Sequence, residues 1–389
     1  AYAHAAMRHD VDLAVHLGDY LYEYAKGAYA PERGAIDGRV PLPEGEVIAL
    51  ADYRLRYASY RSDPDLQSLH AMKPMIVSMD DHELANNSWE GGAQNHQANE
   101  GDYSARRGAA MQAWREWMPV SETPWGSYDI GGLATLFRTD TRLTARSQGA
   151  DTGAILRSGG DPIKALAAFR DGPWHDQGAT MLGSEQEAWL ARAMARSVRS
   201  GAKWQIVGFG TIIGRYRVPE QAGAWLKPDA AQRVKDYTAG GVAASKLGLP
   251  ADLDNWGGYP AARSRFLGSA QDMGANLIVL CGDSHNAWAF DLGENGKPAG
   301  VEFAGTSVTS PGNEAYTAAD PRVIERALIE TNPELKWCEM RRRGYMAVTL
   351  TPEQVRNDYV FMDTIAERSM KASVGHTAVV QRGRNRLSV

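Results

Sequence analysis

The sequence predicts an α/β fold, a sheet layered with helices, on three observations. Short apolar runs of strand character alternate with helical segments down the chain. Several of those runs are continuous rather than alternating, as strands buried on both faces are. Three of them end in an acidic segment: LAVHLGDYLYEY (Leu13 to Tyr24), MIVSMDDHELANNSW (Met75 to Trp89) and LIVLCGDSHNAWAF (Leu277 to Phe290). Ligands of open α/β sheets bind in the crevice beyond the carboxyl ends of the strands. Asp19, Asp81 and Asp283 therefore have one plausible destination although they lie far apart in sequence.

The elements follow in order. AYAHAAMRHDVD opens as Ala-rich helix, with no charged leader, apolar core or cleavage site of a signal peptide. A strand ends near Asp19, and a Gly-, Pro- and charge-rich loop from Lys26 to Glu46 is long enough to be functional or mobile. Tyr, Leu and Ala at spacings of three and four predict a helix over Ala51 to His70. Met75 to Met79 is the next strand, Asn86 to Gly101 a polar loop, and Ala105 to Trp117 a helix. Leu133 to Thr139 is a strand running into DTRLTARS, and Ser184 with Glu187 forms a capping box for a helix over Glu185 to Arg199. A strand over Lys203 to Phe209 precedes a Gly-, Ala- and Pro-rich excursion from Gly210 to Trp256. A helix over Pro260 to Asp272 leads to strands at Leu277 to Cys281, Trp288 to Leu292, Val301 to Ala304, Ala347 to Leu350 and Asp358 to Met362. The final stretch, ending QRGRNRLSV, reads as a basic tail. No repeat or linker divides the chain, so residues 1–389 are expected to form one domain.

Bulk properties narrow the function. The 389 residues carry 42 Lys plus Arg against 47 Asp plus Glu, a formal charge of −5, which gives no global attraction to nucleic acid or anionic membrane. No stretch approaches the ~20 apolar residues of a membrane span. The two cysteines leave the compartment open; Cys281 sits in an apolar strand and reads as an inert buried thiol.

The acidic segments carry the chemistry. Clustered anions repel unless a cation or an arginine lies between them. Asp and Asn oxygens suit calcium, magnesium or ferric iron, and imidazole extends the set toward iron and zinc. Asp19, ending the first strand, is the natural carboxylate to bridge two cations; Tyr22 returns to the same point, although a tyrosine there more often packs in the core. In DDHE, Asp81 would bind metal while His82 faces the leaving group as proton donor. The bland alternative is a helix N-terminus, with Asp80 as cap and Glu83 completing a capping box. Asn86 and Asn87 can offer amide oxygens or simply form a loop. Arg142 or Arg146 could hold a phosphoryl group by its guanidinium fork, though an arginine after a strand is more often a salt-bridge residue. Arg341 to Arg343 reads as a solvated basic run.

With these segments, DTR at Asp140 to Arg142, TMLGSEQEAWL at Thr180 to Leu190, KWQIVG at Lys203 to Gly208, NWGGYPAAR at Asn255 to Arg263, GTSVTSPG at Gly305 to Gly312 and RGYMAVTLT at Arg343 to Thr351, the chain resembles the PhoD-like alkaline phosphatase and phosphodiesterase family, a branch of the calcineurin-like metallophosphoesterases. The resemblance runs over nearly the whole length. It implies a four-layer α/β/β/α sandwich, a periplasmic or secreted location in bacteria, and hydrolysis of phosphate mono- or diesters, cell-wall teichoic acid included. It implies a ferric ion (Fe3+) with calcium ions (Ca2+) as cofactors. Asp19 would be the bridging carboxylate and Tyr22 the phenolate on iron, with Asp81, Asn86, Asp283 and His285 completing the cluster. The family's amino-terminal β-domain and its first strand, which carries a Cys ligand to iron, have no counterpart in this sequence. Upstream sequence is therefore expected in the full gene.

Two other function classes compete. A two-carboxylate glycosidase would need no metal and would use some of the 11 Trp as sugar platforms. A catalytically impaired relative would bind phosphorylated polymers without turning them over.

Overall fold

In a computed structural model, residues 1–29, 39–118 and 120–388 are described. The middle of the predicted Lys26 to Glu46 loop lies outside them. The first half of the chain contains α1 (Tyr2–Ala6), β1 (Ala14–His16), α2 (Leu50–Arg61), α3 (Pro64–Met72), β2 (Met75–Val77), α4 (Tyr103–Trp117), β3 (Gly126–Ile130), β4 (Ala134–Arg138), α5 (Thr152–Arg157), α6 (Pro162–Asp171) and α7 (Gly183–Arg199). The second half contains β5 (Trp204–Gly208), α8 (Gln232–Lys246), α9 (Pro260–Asp272), β6 (Leu277–Cys281), β7 (Ala287–Glu294), β8 (Lys297–Ala304), α10 (Pro321–Thr331), β9 (Leu335–Glu339), β10 (Gly344–Leu350), β11 (Gln354–Met362), β12 (Ala372–Gln381) and β13 (Leu387–Ser388). Among the described residues, no helix is long and apolar enough to cross a membrane.

A seven-stranded sheet runs in the order β3-β4-β5-β6-β8-β7-β9, with β4, β5, β6 and β8 parallel. Four antiparallel strands, β10 to β13, form a second sheet, and β1 pairs in parallel with β2. One apolar layer, with Ile206, Ile278, Phe303, Tyr359 and Val380, joins the seven-stranded sheet to the strands opposite it. Val15 and Ile76 of the β1-β2 pair enter the same layer. A second core, with Leu190, Met194, Phe266, Leu267 and Leu328, seals α7, α9 and α10 onto the other face of the large sheet. A third, with Tyr53, Tyr57, Leu66 and Trp114, packs α2, α3 and α4 beside Val77. The order is helices, sheet, sheet, helices: an α/β sandwich.

Where sequence and structure differ, local chemistry explains it. The predicted helix over Ala51 to His70 is two helices, because the Asp63 side chain caps the N–H groups of Asp65 and Leu66 and Pro64 starts α3. Ser184 is not the cap of α7. The N-cap is Leu182, and Thr180 shortly before it accepts the Gly183 N–H with its Oγ1 (2.8 Å) and donates to Glu187 (2.8 Å). The basic tail is instead β12 and β13, with β12 paired to β11 along its length and His376 stacked on Trp337 at 4.3 Å.

Candidate metal centre

Pairing register brings the acidic segments together. His16 lies opposite Val77, and Ser78 N–H donates to His16 O (2.8 Å), so the turns after β1 and β2 leave the sheet side by side. In the large sheet Arg138 lies opposite Gly208 and Gly208 opposite Leu280, and Gly282 N–H donates to Gly210 O (3.1 Å). Five strand ends therefore open on one rim, as strand-end chemistry in α/β proteins requires. Glu83 fastens two of these turns: one carboxylate oxygen accepts the Tyr20 N–H and the other the Asp80 N–H (2.7 Å). This is half of the predicted capping box. The residues after it form turns rather than a helix, and the Asp80 side chain is engaged elsewhere.

Two triads of candidate ligands result, Asp19 with Asp81 and His82, and Asp80 with Asp81 and Asp283. Within each, ligand atoms lie within 4.8 Å of one another, and Asp81 belongs to both. Tyr22 Oη donates to Asp19 Oδ2 (3.1 Å) and lies 2.9 Å from His285 Nε2. Asp19 Oδ1 and Asp81 Oδ1 are buried with no hydrogen-bond partner. A buried carboxylate oxygen left unpaired is costly, and these two are the atoms a cation would take. Hard oxygens beside imidazole and a phenol fit a metal site.

The electrostatics carry the same message. Burial pushes the Glu83 carboxyl up to about 8, reinforced by Asp19. Burial likewise raises Asp80 despite Arg142, whereas Asp81, against the effect of burial, is held below the carboxylate range by Arg142 and His82. Burial opposes charge on His82, yet Asp81, Glu23 and Asp19 hold its imidazole well above the ordinary value. Burial and Asp19 raise the Tyr22 phenol well above its usual range.

Comparison with known proteins fits this arrangement. The model of the PhoD-like phosphatase family matches residues 1–359. The chain belongs to that family. It is 31% identical over 397 residues to alkaline phosphatase D of Bacillus subtilis (strain 168), which takes in 98% of this chain and 59% of that protein. The chain thus spans about three-fifths of the length of this curated relative. A solved structure of PhoD superposes with a TM-score of 0.75 at 28% identity, covering 100% of this chain and 67% of that one.

Within this PhoD-like rim, three expected residues sit differently from the sequence reading. Arg142 is not an open phosphate fork: its side chain is fully buried, with Nε on Asp80 Oδ1 (2.6 Å), Nη2 on Asp80 Oδ2 (3.1 Å) and Nη1 on Asp254 Oδ2 (2.5 Å). Nη2 also stands 3.5 Å from Asp283 and 3.8 Å from Asp81, so the residue is a hub among carboxylates. Arg146 bonds Asp254 and Tyr259, leaving Nη1 buried and unpaired. Asn86 gives its backbone N–H to Glu23 and its amide nitrogen to Gln94, which leaves only its carbonyl oxygen to offer. Asn87 is the neighbour that touches a cluster residue, by its N–H on Asp81 Oδ2 (2.6 Å).

Four residues escaped the sequence reading. Glu23, wholly buried, holds His82 Nδ1 at 2.7 Å and accepts from Asn86 N–H and Asn95 Nδ2 (both 2.8 Å). Tyr29 stacks on Tyr22 and Tyr24, with its hydroxyl 2.9 Å from His285 Nδ1. Asp254 anchors both arginines, and Thr211 donates to Asp283 (2.9 Å). Only Glu23 had a visible signal, a carboxylate four residues after Asp19 in GDYLYE.

The backbone is itself specialised. Asp19, Asp283 and His285 have φ of 55°, 65° and 59°, the left-handed region that few non-glycine residues adopt, Asp, Asn and His most readily. Gly18, at φ 112°, lets the turn pass against Asp80: a Cβ there would stand 2.4 Å from Asp80 Cβ and 2.5 Å from its backbone nitrogen. Gly18→Ala is expected to destabilise the fold by about 1–3 kcal/mol and to displace Asp19 from Asp80. Metal titration and a denaturation midpoint on the purified variant check both effects.

Proposed function

We propose that residues 1–389 act as a single catalytic domain of a metal-dependent phosphoric ester hydrolase of the alkaline phosphatase D type. The observation that carries this reading is the pair of triads that share Asp81, one of which includes an imidazole oriented by a buried carboxylate. Asp19, Tyr22, Asp81, Asp283 and His285 would hold the cations, with the Asn86 carbonyl oxygen as a further donor. We assign Fe3+ to the side where Tyr22, Asp19 and His285 meet, because a phenol and an imidazole suit a strong Lewis acid. Ca2+ belongs with the Asp81 and Asp283 oxygens. Cations bound here would neutralise the carboxylates, grip phosphoryl oxygens and lower the pKa of a coordinated water.

The chain's own groups supply the rest. Three donors converge on Glu23, so it acts as acceptor and fixes the His82 proton on Nδ1. The other ring nitrogen, Nε2, is the one His82 would use to protonate the departing alcohol oxygen. Arg142 serves as a positioning residue: it spaces Asp80, Asp81, Asp254 and Asp283 and lessens their mutual repulsion. The substrate is a phosphate ester. An extracytoplasmic location, as the family resemblance implies, belongs to the same reading.

Release of inorganic phosphate from aryl and alkyl phosphate esters tests the reading. Exhaustive chelation is expected to abolish it and metal addition to restore it; activity that survives chelation would refute the proposal. His82→Ala is expected to lower kcat by about 10²–10⁴ while metal content stays near wild type. Bound metal without turnover in the wild-type protein would favour the phosphopolymer-binding relative instead.

A further inference from the structure

His285 meets different partners on its two ring nitrogens. Nε2 lies 2.9 Å from Tyr22 Oη and 3.6 Å from Asp19 Oδ2, within the cluster. Nδ1 lies 2.8 Å from Pro311 O and 2.9 Å from Tyr29 Oη. A neutral imidazole carries one proton and binds a metal through the nitrogen that lacks it. The two sides compete for that proton. The Asp19 carboxylate draws it to Nε2, where it would block a cation, whereas the oxygens of Pro311 and Tyr29 draw it to Nδ1. A carbonyl oxygen only accepts, so the Pro311 contact needs the proton on Nδ1.

Both oxygens on the Nδ1 side are held in place. Arg343, read from sequence as part of a solvated run, is buried; its Nε donates to Ser310 O (2.7 Å), and its Nη2 pairs with Glu314, which also accepts the Gly312 N–H (3.1 Å). The turn that carries the Pro311 carbonyl is thereby fastened on both sides. Tyr29 is held by its ring, stacked on Tyr22 (centroids 5.0 Å apart, planes at 12°) and on Tyr24 (5.3 Å, 16°). One side chain thus touches two of the proposed ligands, His285 by its hydroxyl and Tyr22 by its face.

We infer that Tyr29 is a positioning residue of the metal centre. Its hydroxyl, together with the Pro311 carbonyl, keeps the His285 proton on Nδ1 and leaves Nε2 bare for a cation, and its ring sets the plane of the Tyr22 phenol. The inference rests on the assignment of Tyr22 and His285 to Fe3+ made above. Its test compares wild type, Tyr29→Phe and Tyr29→Ala in two states. In metal-free protein, the ring-nitrogen chemical shifts of His285 report which nitrogen carries the proton. In protein reconstituted with ferric citrate and calcium chloride, competition against chelators gives the affinity for each ion, and the visible absorption of a ferric phenolate reports the bond to Tyr22.

Tyr29→Phe keeps the stack and loses the hydroxyl, so it is expected to turn one His285 tautomer into a mixture and to weaken Fe3+ binding about tenfold. Tyr29→Ala loses both contacts; the expected weakening is about a hundredfold, with a displaced absorption band. Ca2+, assigned to the Asp81 and Asp283 oxygens, is expected to bind both variants as it binds wild type. A wild-type tautomer and Fe3+ affinity in Tyr29→Phe, or equal losses of Fe3+ and Ca2+ in either variant, overturn the assignment. If wild type takes up no Fe3+, the iron reading fails separately, and the His285 tautomer in metal-free protein alone decides the role of Tyr29.

Discussion

Asp19→Asn is expected to strip the protein of bound cations and to lower turnover about a thousandfold or more. Asn is the sharper replacement because it tolerates the left-handed backbone at φ 55° better than Ala, so the turn should survive while the charge is lost. Asp19 joins two groups of contacts: Oδ2 meets Tyr22 and lies 3.6 Å from His285, and the residue also belongs to the triad with Asp81 and His82, its Oδ1 buried and unpaired. Removing one anionic oxygen donor from a hard-cation site removes several kcal/mol of charge stabilisation, and each 1.36 kcal/mol is tenfold in rate. Metal content by elemental analysis and kcat on the same preparation decide the matter. A variant with wild-type metal content would refute the placement of Asp19 at the centre of the cluster.

Arg142→Leu is expected to cost about 3–5 kcal/mol of stability in metal-free protein, the usual penalty for breaking a buried ion pair and leaving its partners uncompensated. Both Asp80 oxygens lose their donors, and Asp254 keeps only Arg146. Bound cations would supply part of the missing positive charge, so the loss should be smaller in metal-loaded protein. Chemical denaturation with and without chelator measures this difference. Equal losses in the two states would mean that the guanidinium and the cations do not share the same carboxylates.

Much of this architecture was legible in local pattern. Helix α9 and strand β6 have the predicted bounds, because Pro260 opens the one and an unbroken apolar run defines the other. The acidic segments after β1, β2 and β6 were readable as strand ends, and the structure gathers Asp19, Tyr22, Asp81, His82, Asp283 and His285. What stayed hidden acts at long range. Glu23 is 59 residues from the His82 it orients, and Asp254 is 112 from Arg142, distances over which no periodicity speaks. Helix α10, with Asp320 as cap, was missed between strands, and β12 was mistaken for a tail because no clean alternation marks it: Val374 is exposed while Ala378 and Val380 lie inside.

The left-handed backbone at Asp19, Asp283 and His285 bears on how this rim would respond to gaining and losing cations. Such conformations are unfavourable by about 1–3 kcal/mol each, and neighbouring packing, not the ions, must enforce them before any ion arrives. Loading then needs little reorganisation and can be quick. Local opening would release that tension, and cations held there would act as a stitch against such opening and against proteolysis.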